Sequence, residues 1–227
     1  MDYAGAVTSR DRLQRSDRDL PALAVLALLS QGPRHTYDMH RFIVDTRKDF
    51  IGGLPRSLYH AVAKLEAAGL VVEAGTEQPT GRPERVRYAI TEPGRAELRR
   101  RVALLLASPD PDAVLAYAAL SFMGVLGRDE AIAALRARVA AIDLALARIA
   151  ADLAEARGVP RILLIETEFE RARLSSERDW MAALAGEFES GELDWPDVAT
   201  MPLPGESAAD ASASESPVGL PRRGRDR

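Results

Sequence analysis

A chain of 227 residues, 28% of them charged and none of them cysteine, is long enough to bury a real core but excludes disulfides and thiolate metal sites. No apolar run approaches the roughly 20 residues of a membrane span, and the Arg- and Asp-rich start lacks a signal-peptide core, so a soluble cytoplasmic protein is expected. The net charge of −4 is divided unevenly. Residues 1–107 hold 17 Lys and Arg against 13 Asp and Glu, a surplus of four positive charges, whereas residues 108–227 hold 13 against 21, a deficit of eight. The positive part is the one whose field a polyanion would favour.

Residues 1–18 mix Arg, Asp and Ser without apolar periodicity and are expected to form a flexible arm. Asp19 then caps a helix with Pro21 in its first turn and Gly32–Pro33 after its end; Leu23, Leu26, Leu28 and Leu29 make it largely buried. A second helix is expected from His35 to about Lys48, packing through Tyr37, Met39, Ile43 and Val44, with FIGGL at 50–54 as the turn that follows. No Gly–Lys–Ser/Thr follows that double glycine, so it is a corner and not a phosphate loop.

The stretch 55–94 has the most definite pattern. Leu58, Val62 and Leu65 fall at i, i+4, i+7 on one helical face, Pro55 suits the first turn, and Gly69 marks the stop. The outer face carries Arg56, Ser57, Tyr59, His60 and Lys64, the mix of hydrogen-bonders and cations that a helix needs in a DNA major groove. Tyr59, beside Leu58, also suits the edge of the core, and His60 also suits plain solvent exposure. In RVRYAIT the period of two sets Val86, Tyr88 and Ile90 against Arg85 and Arg87, and LVVEAG is the expected partner strand. The tip, QPTGRPER, extends Arg82 away from the body. Thr91 caps the next helix, Glu92 to about Ala107, with Leu98, Val102, Leu105 and Leu106 inward and Arg99, Arg100 and Arg101 outward. Helix, hairpin with a basic tip, helix is the order of a winged helix-turn-helix, and 19–107 is read as that domain. Arg56, Ser57, Tyr59 and His60 are expected to read bases. Lys64 and Arg87 are expected to meet phosphates, with Arg82 and Arg85 as the wing's contribution.

Ser108-Pro-Asp-Pro-Asp112 breaks the pattern. Residues 113–126 read as a helix buried nearly all round. From 129 to 156, Ile132, Leu135, Val139, Ile142, Leu146, Ile149 and Leu153 alternate spacings of three and four, a seam for long helix-on-helix packing. Arg136, Arg138, Asp143, Arg148 and Asp152 lie off that seam. A last helix, Arg161 to about Phe188, carries Ile162, Ile165, Phe169, Trp180 and Leu184. Phe169 and Trp180 suit helix packing or the lining of a small-molecule effector pocket, and the sequence leaves the existence of an effector open. The seam, Phe169 and Trp180 are read together as a homodimer contact over 113–196. The competing reading packs the seam within one chain. From 197 onward Pro, Ser, Ala, Gly and Asp dominate and a disordered tail is expected.

The pieces LALLSQGPRHTYDMHRFI, SLYHAVAKLEAAGLV and GRPERVRYAITEPGRAEL resemble, in order and spacing, the PadR family of bacterial winged-helix transcription regulators over residues 20–107. Thr36 stands where that family generally has glycine, and His60 where it generally has proline, so base contacts are not transferred at the second position. The resemblance implies a mainly α fold with a small β-hairpin, a double-stranded DNA operator as partner, pairing as a homodimer through the later helices, and repression as the commoner mode. It implies no cofactor. No nucleophile elbow, metal-ligand cluster or dinucleotide fingerprint is present, so no enzymatic activity is expected. A winged-helix module that binds protein instead of DNA is the alternative.

Overall fold

A computed structural model describes residues 13–48, 50–77 and 85–195. The first helix, α1 (Leu20–Leu29), starts where the Asp19 carboxylate accepts the Ala22 N–H at 3.2 Å. Its sequence LPALAVLALL is apolar on every face, and accordingly nine of its ten residues are buried. It is the axle of the core, packed by α3 (Arg56–Ala67), α4 (Glu92–Ala107) and α5 (Ala113–Phe122).

Between α1 and α3 lie a two-residue strand, β1 (Arg34–His35), and α2 (Thr36–Asp45). The expected helix from His35 to Lys48 is therefore shorter at both ends. Its buried stripe is Thr36, Met39 and Ile43, at i, i+3, i+7. Tyr37 and Val44, expected to pack, each sit one residue off that stripe and are exposed. The wing is β2 (Val71–Glu77) and β3 (Arg85–Ile90), and β1 joins it to make a three-stranded antiparallel sheet in the order β1-β3-β2. Val71 opposes Ile90 and Glu73 opposes Tyr88; a bulge then shifts the register before Thr76 meets Val86.

The end of α3 is fastened to the start of α4. Gly69 takes φ +70°, and the Gly69 and Leu70 N–H groups donate to the carbonyls of Glu66 and Leu65, both at 2.9 Å. That is a Schellman ending, which needs the left-handed residue. The Leu70 carbonyl then accepts the Thr91 N–H at 3.1 Å, and the Thr91 hydroxyl donates to the Gly69 carbonyl while accepting the Gly94 N–H. Gly94 sits so close that a Cβ there would lie 2.1 Å from the Leu70 carbonyl oxygen.

After α5 and a short 3-10 turn, α6 (Arg128–Glu155) and α7 (Ile165–Ser190) form a long hairpin, with α4 packed against α6. One hydrophobic cluster runs from Leu20 through α4 and α5 to Phe188, across the 108–112 break. α5 is not buried all round, because Tyr117 faces solvent. Arg101, expected outside, and Arg138, expected only to lie off the α6 seam, are both inside. Arg101 donates to Glu97 at 2.6 Å beneath α4, and Arg138 is 1% exposed. Nor does the expected arm extend through 13–18: Asp17 is buried against Arg100 at 2.8 Å, and Arg18 pairs with Asp110. The rest of that arm and the tail expected from 197 lie outside the described residues.

Candidate nucleic-acid interface

α3 sorts its residues by face. Leu58, Ala61, Val62 and Leu65 are buried, and Arg56, Tyr59, His60 and Lys64 are exposed. Tyr59 is 54% exposed, which decides against a core role. Ser57 is half-buried, and its hydroxyl donates to the Gly52 carbonyl at 3.0 Å, closing the turn before α3; only its acceptor lone pairs are left to face outward. The Lys64 ammonium is engaged as well, 2.6 Å from the carboxylate of Asp19, the residue that caps α1.

Arg87 is half-buried and donates to the Pro33 carbonyl at 3.3 Å. The backbone of Arg85 pairs with Glu77, while its side chain and the whole of Arg82 lie outside the described residues. Between α3 and the sheet runs a groove of about 410 Å³ lined by Tyr37, Tyr59, Val62, Glu66, Val86 and Tyr88, among others. Burial, then the nearby carboxylates of Glu66 and Glu73, push the Tyr88 hydroxyl above its ordinary pKa. Tyr37 was missed as a surface residue, although its offset from the Met39–Ile43 stripe was a usable signal.

α3 is braced at its entrance too. Phe50, in the turn before it, meets Phe122 of α5 edge-on at 6.2 Å, and the Lys48 ammonium lies 5.2 Å from the centre of the same ring. Burial lowers the Lys48 pKa. The face of α3 left exposed thus belongs to a helix held at its entrance, along its length by Lys64 and Asp19, and at its end.

Residues 25–100 match the model of the transcriptional regulator PadR-like family. This part of the chain is similar to that family. The matched stretch runs from within α1 to within α4. The family's members are transcriptional regulators and not enzymes. Among solved structures, the chain is 19% identical to Bacillus subtilis PadR in complex with operator DNA, covering 74% of this chain and 98% of that one at a TM-score of 0.36. It is 17% identical to the same protein in complex with p-coumaric acid (75% and 99%, TM-score 0.34) and 18% identical to the PadR-like regulator BC1756 of Bacillus cereus (75% and 99%, TM-score 0.32). No curated protein sequence matches.

Beyond the PadR-like domain, the structure divides the seam on α6. Leu135, Val139 and Ile142 are buried within the chain, covered by its own α4 and α7, and Ile132 is half-buried. This half of the seam is therefore not free to meet a partner. Leu146, Ile149 and Leu153 are only half-covered. On and before α7, Ile162, Leu163, Ile165, Phe169 and Trp180 are exposed, Phe169 by 70%. Phe169 borders two shallow hollows near the tip of the hairpin; Trp180 borders neither. A separate groove of about 970 Å³ runs between α4 and the start of α6, with Arg95, Arg99, Leu98, Val125 and Trp195 in its walls. Among the described residues, no helix is long and apolar enough to cross a membrane.

Proposed function

We propose that this chain is a sequence-specific transcription regulator that reads double-stranded DNA with the exposed face of α3 and acts as a homodimeric repressor. The observation that carries the reading is that face, where Arg56, Tyr59 and His60 stand outward from a fully buried stripe inside a PadR-like domain. Arg56, at the start of the helix, and His60, one turn on, are spaced to reach base edges, with Tyr59 between them. Arg82 and Arg85 add the wing's cations, and Lys64 and Arg87, which already hold Asp19 and the Pro33 carbonyl, are the phosphate contacts.

The second copy is assigned to the far half of the hairpin. Ile162, Leu163, Ile165 and Phe169 leave an apolar surface uncovered in one chain, and Leu146, Ile149 and Leu153 border it on the seam side. Repression rests on the family resemblance. The groove between α4 and α6 is the place assigned to a small-molecule effector, in preference to Trp180.

The full chain, used to select duplexes from a random library and then footprinted on the DNA flanking its own gene, tests the reading. The expected result is a two-fold symmetric site whose halves lie about one helical turn, roughly 34–36 Å, apart. Transcription across that site should fall as protein is added. Failure to retain any duplex would favour a winged-helix module for protein partners, which the internal pairing of Lys64 and Arg87 makes the second reading.

A further inference from the structure

α4 links the two functional halves of the chain, and it is fixed at both ends. At its start, Thr91 and Gly94 are locked onto the last turn of α3 through the carbonyls of Gly69 and Leu70. At its end sits the Arg138 guanidinium of α6. One of its terminal nitrogens donates to the carbonyls of Leu105 at 3.0 Å, Leu106 at 3.3 Å and Ser108 at 2.8 Å. These belong to the last turn of α4 and its first residue beyond, where orphan carbonyls and the negative end of the helix dipole call for a cation.

The same guanidinium reaches α7. Its Nε donates to Glu177 at 2.6 Å, and the other Glu177 oxygen accepts from Arg173 at 3.2 Å. Three helices thus meet at one charge that is 1% exposed. A buried guanidinium with this many directional partners has little freedom, because any shift of α7 along α4 would cost either its pair with Glu177 or its set of carbonyls. With 16 residues, α4 is a strut about 24 Å long between this junction and α3.

We infer that Arg138 and Glu177 are positioning residues for operator recognition: they set the angle of the hairpin against α4, and so the separation of two α3 helices in a dimer. The inference rests on the homodimeric DNA-binding reading above. Neither residue touches DNA. Their effect is on spacing, which one reading head alone would not report.

The test uses full-length protein and a duplex selected by the wild type, together with a version scrambled in one half and versions lengthened by one and two base pairs between the halves. Wild type should prefer the selected spacing at least tenfold. Glu177→Gln, which keeps the shape and removes the charge, should cut that preference to threefold or less while holding half-site affinity within twofold. Arg138→Lys, which cannot span both sets of partners, should do the same, with thermal melts confirming that both variants are folded. A Glu177→Gln protein that keeps the full spacing preference would overturn the inference. So would one that loses half-site and full-site affinity in equal measure, since that is the signature of a merely structural role. If the wild type selects no duplex, or binds as one copy, the DNA-binding homodimer itself falls and takes this inference with it.

Discussion

The PadR-like domain and the far half of the α6–α7 hairpin treat apolar residues in opposite ways. In the first, α1 is enclosed on all sides, and the large apolar residues left open, Tyr37, Val44, Tyr59 and Val72, are spread over α2, α3 and β2. In the second, Ile162, Leu163, Ile165 and Phe169 lie open to solvent. A chain that encloses one apolar helix so completely is not short of covering elements. The lesson is that the first region disperses its exposed apolar residues, whereas the second gathers them in one short stretch from Ile162 to Phe169, the kind of surface a partner covers. The homodimer reading supplies a second chain as that cover.

The largest expected effect bears directly on the contrast. Replacing Leu163 and Phe169 together with Asp should weaken self-association at least 100-fold, because each large side chain is worth about 1.5–3 kcal/mol when fully buried and tenfold is about 1.4 kcal/mol. The melting of α1 to α4 should hardly move, since exposed substitutions usually stay within about 0.5 kcal/mol. Sedimentation velocity reads the first and circular dichroism the second. An unchanged association constant would assign the apolar surface to some other cover.

Gly94→Ala attacks the first region instead. A methyl group placed 2.1 Å from the Leu70 carbonyl oxygen must push α4 away from α3. A loss of about 2–3 kcal/mol in urea unfolding is expected, in the range for overpacking a close site. Wild-type stability would mean that the α3–α4 joint is looser than drawn. Next in size, Tyr59→Ala and Arg56→Ala should each lower affinity for the selected duplex by about 1–3 kcal/mol and leave random-sequence binding nearly unaltered. Equal loss on both would move these residues from reading to backbone contact.

The smallest effect is electrostatic. Hydrogen bonds from Arg100, then from Arg101, hold the Glu97 carboxyl down at about 2. A folded pKa below the ordinary 4.5 contributes stability that is present above that value and is lost as pH falls towards about 2. Because Glu97 and Arg100 keep contact with solvent, the contribution is about 1 kcal/mol and not the full value of the shift. Glu97→Gln should therefore narrow the difference in melting temperature between pH 7 and pH 3. An undiminished difference would place the acid sensitivity elsewhere.

The sequence was most legible where the chemistry is local. Asp19 and Thr91 as caps, Gly69 as a stop, and the stripes of α3 and α4 each depend on residues within a turn or two, and each stands in the structure as expected. β1 was not legible, because two residues have no period. The wing bulge was hidden for the same reason, since a register shift is a property of the pair and not of either strand. Arg101 reads as outward because charge usually is; the burial of Arg138, which reads only as off the seam, has its reasons in carbonyls about 30 residues away and a carboxylate 39 residues on. The α6 seam shows the limit most plainly. Its spacing declares an apolar face from Ile132 to Leu153 but cannot say that α4 and α7 of the same chain take the first half. For the candidate interface, sequence placed Arg56, Tyr59 and His60 on the outer face. It did not show that Ser57, Lys64 and Arg87 hold partners in their own chain.

That last point bears on how the protein should respond to salt. A lysine arriving at DNA from bulk solvent neutralises a phosphate and releases a condensed cation, which steepens the logarithmic dependence of affinity on salt by about 0.9. Lys64 instead arrives already neutralised, 2.6 Å from Asp19. While Asp19 holds it, Lys64 neutralises no phosphate and releases no condensed cation. Binding through Lys64 is thus a competition between two anions, Asp19 and a phosphate, for one cation. Asp19→Asn keeps an oxygen for the Ala22 cap and removes the competing charge; titrations across a salt series should then steepen by about one unit, as Lys64 begins to count.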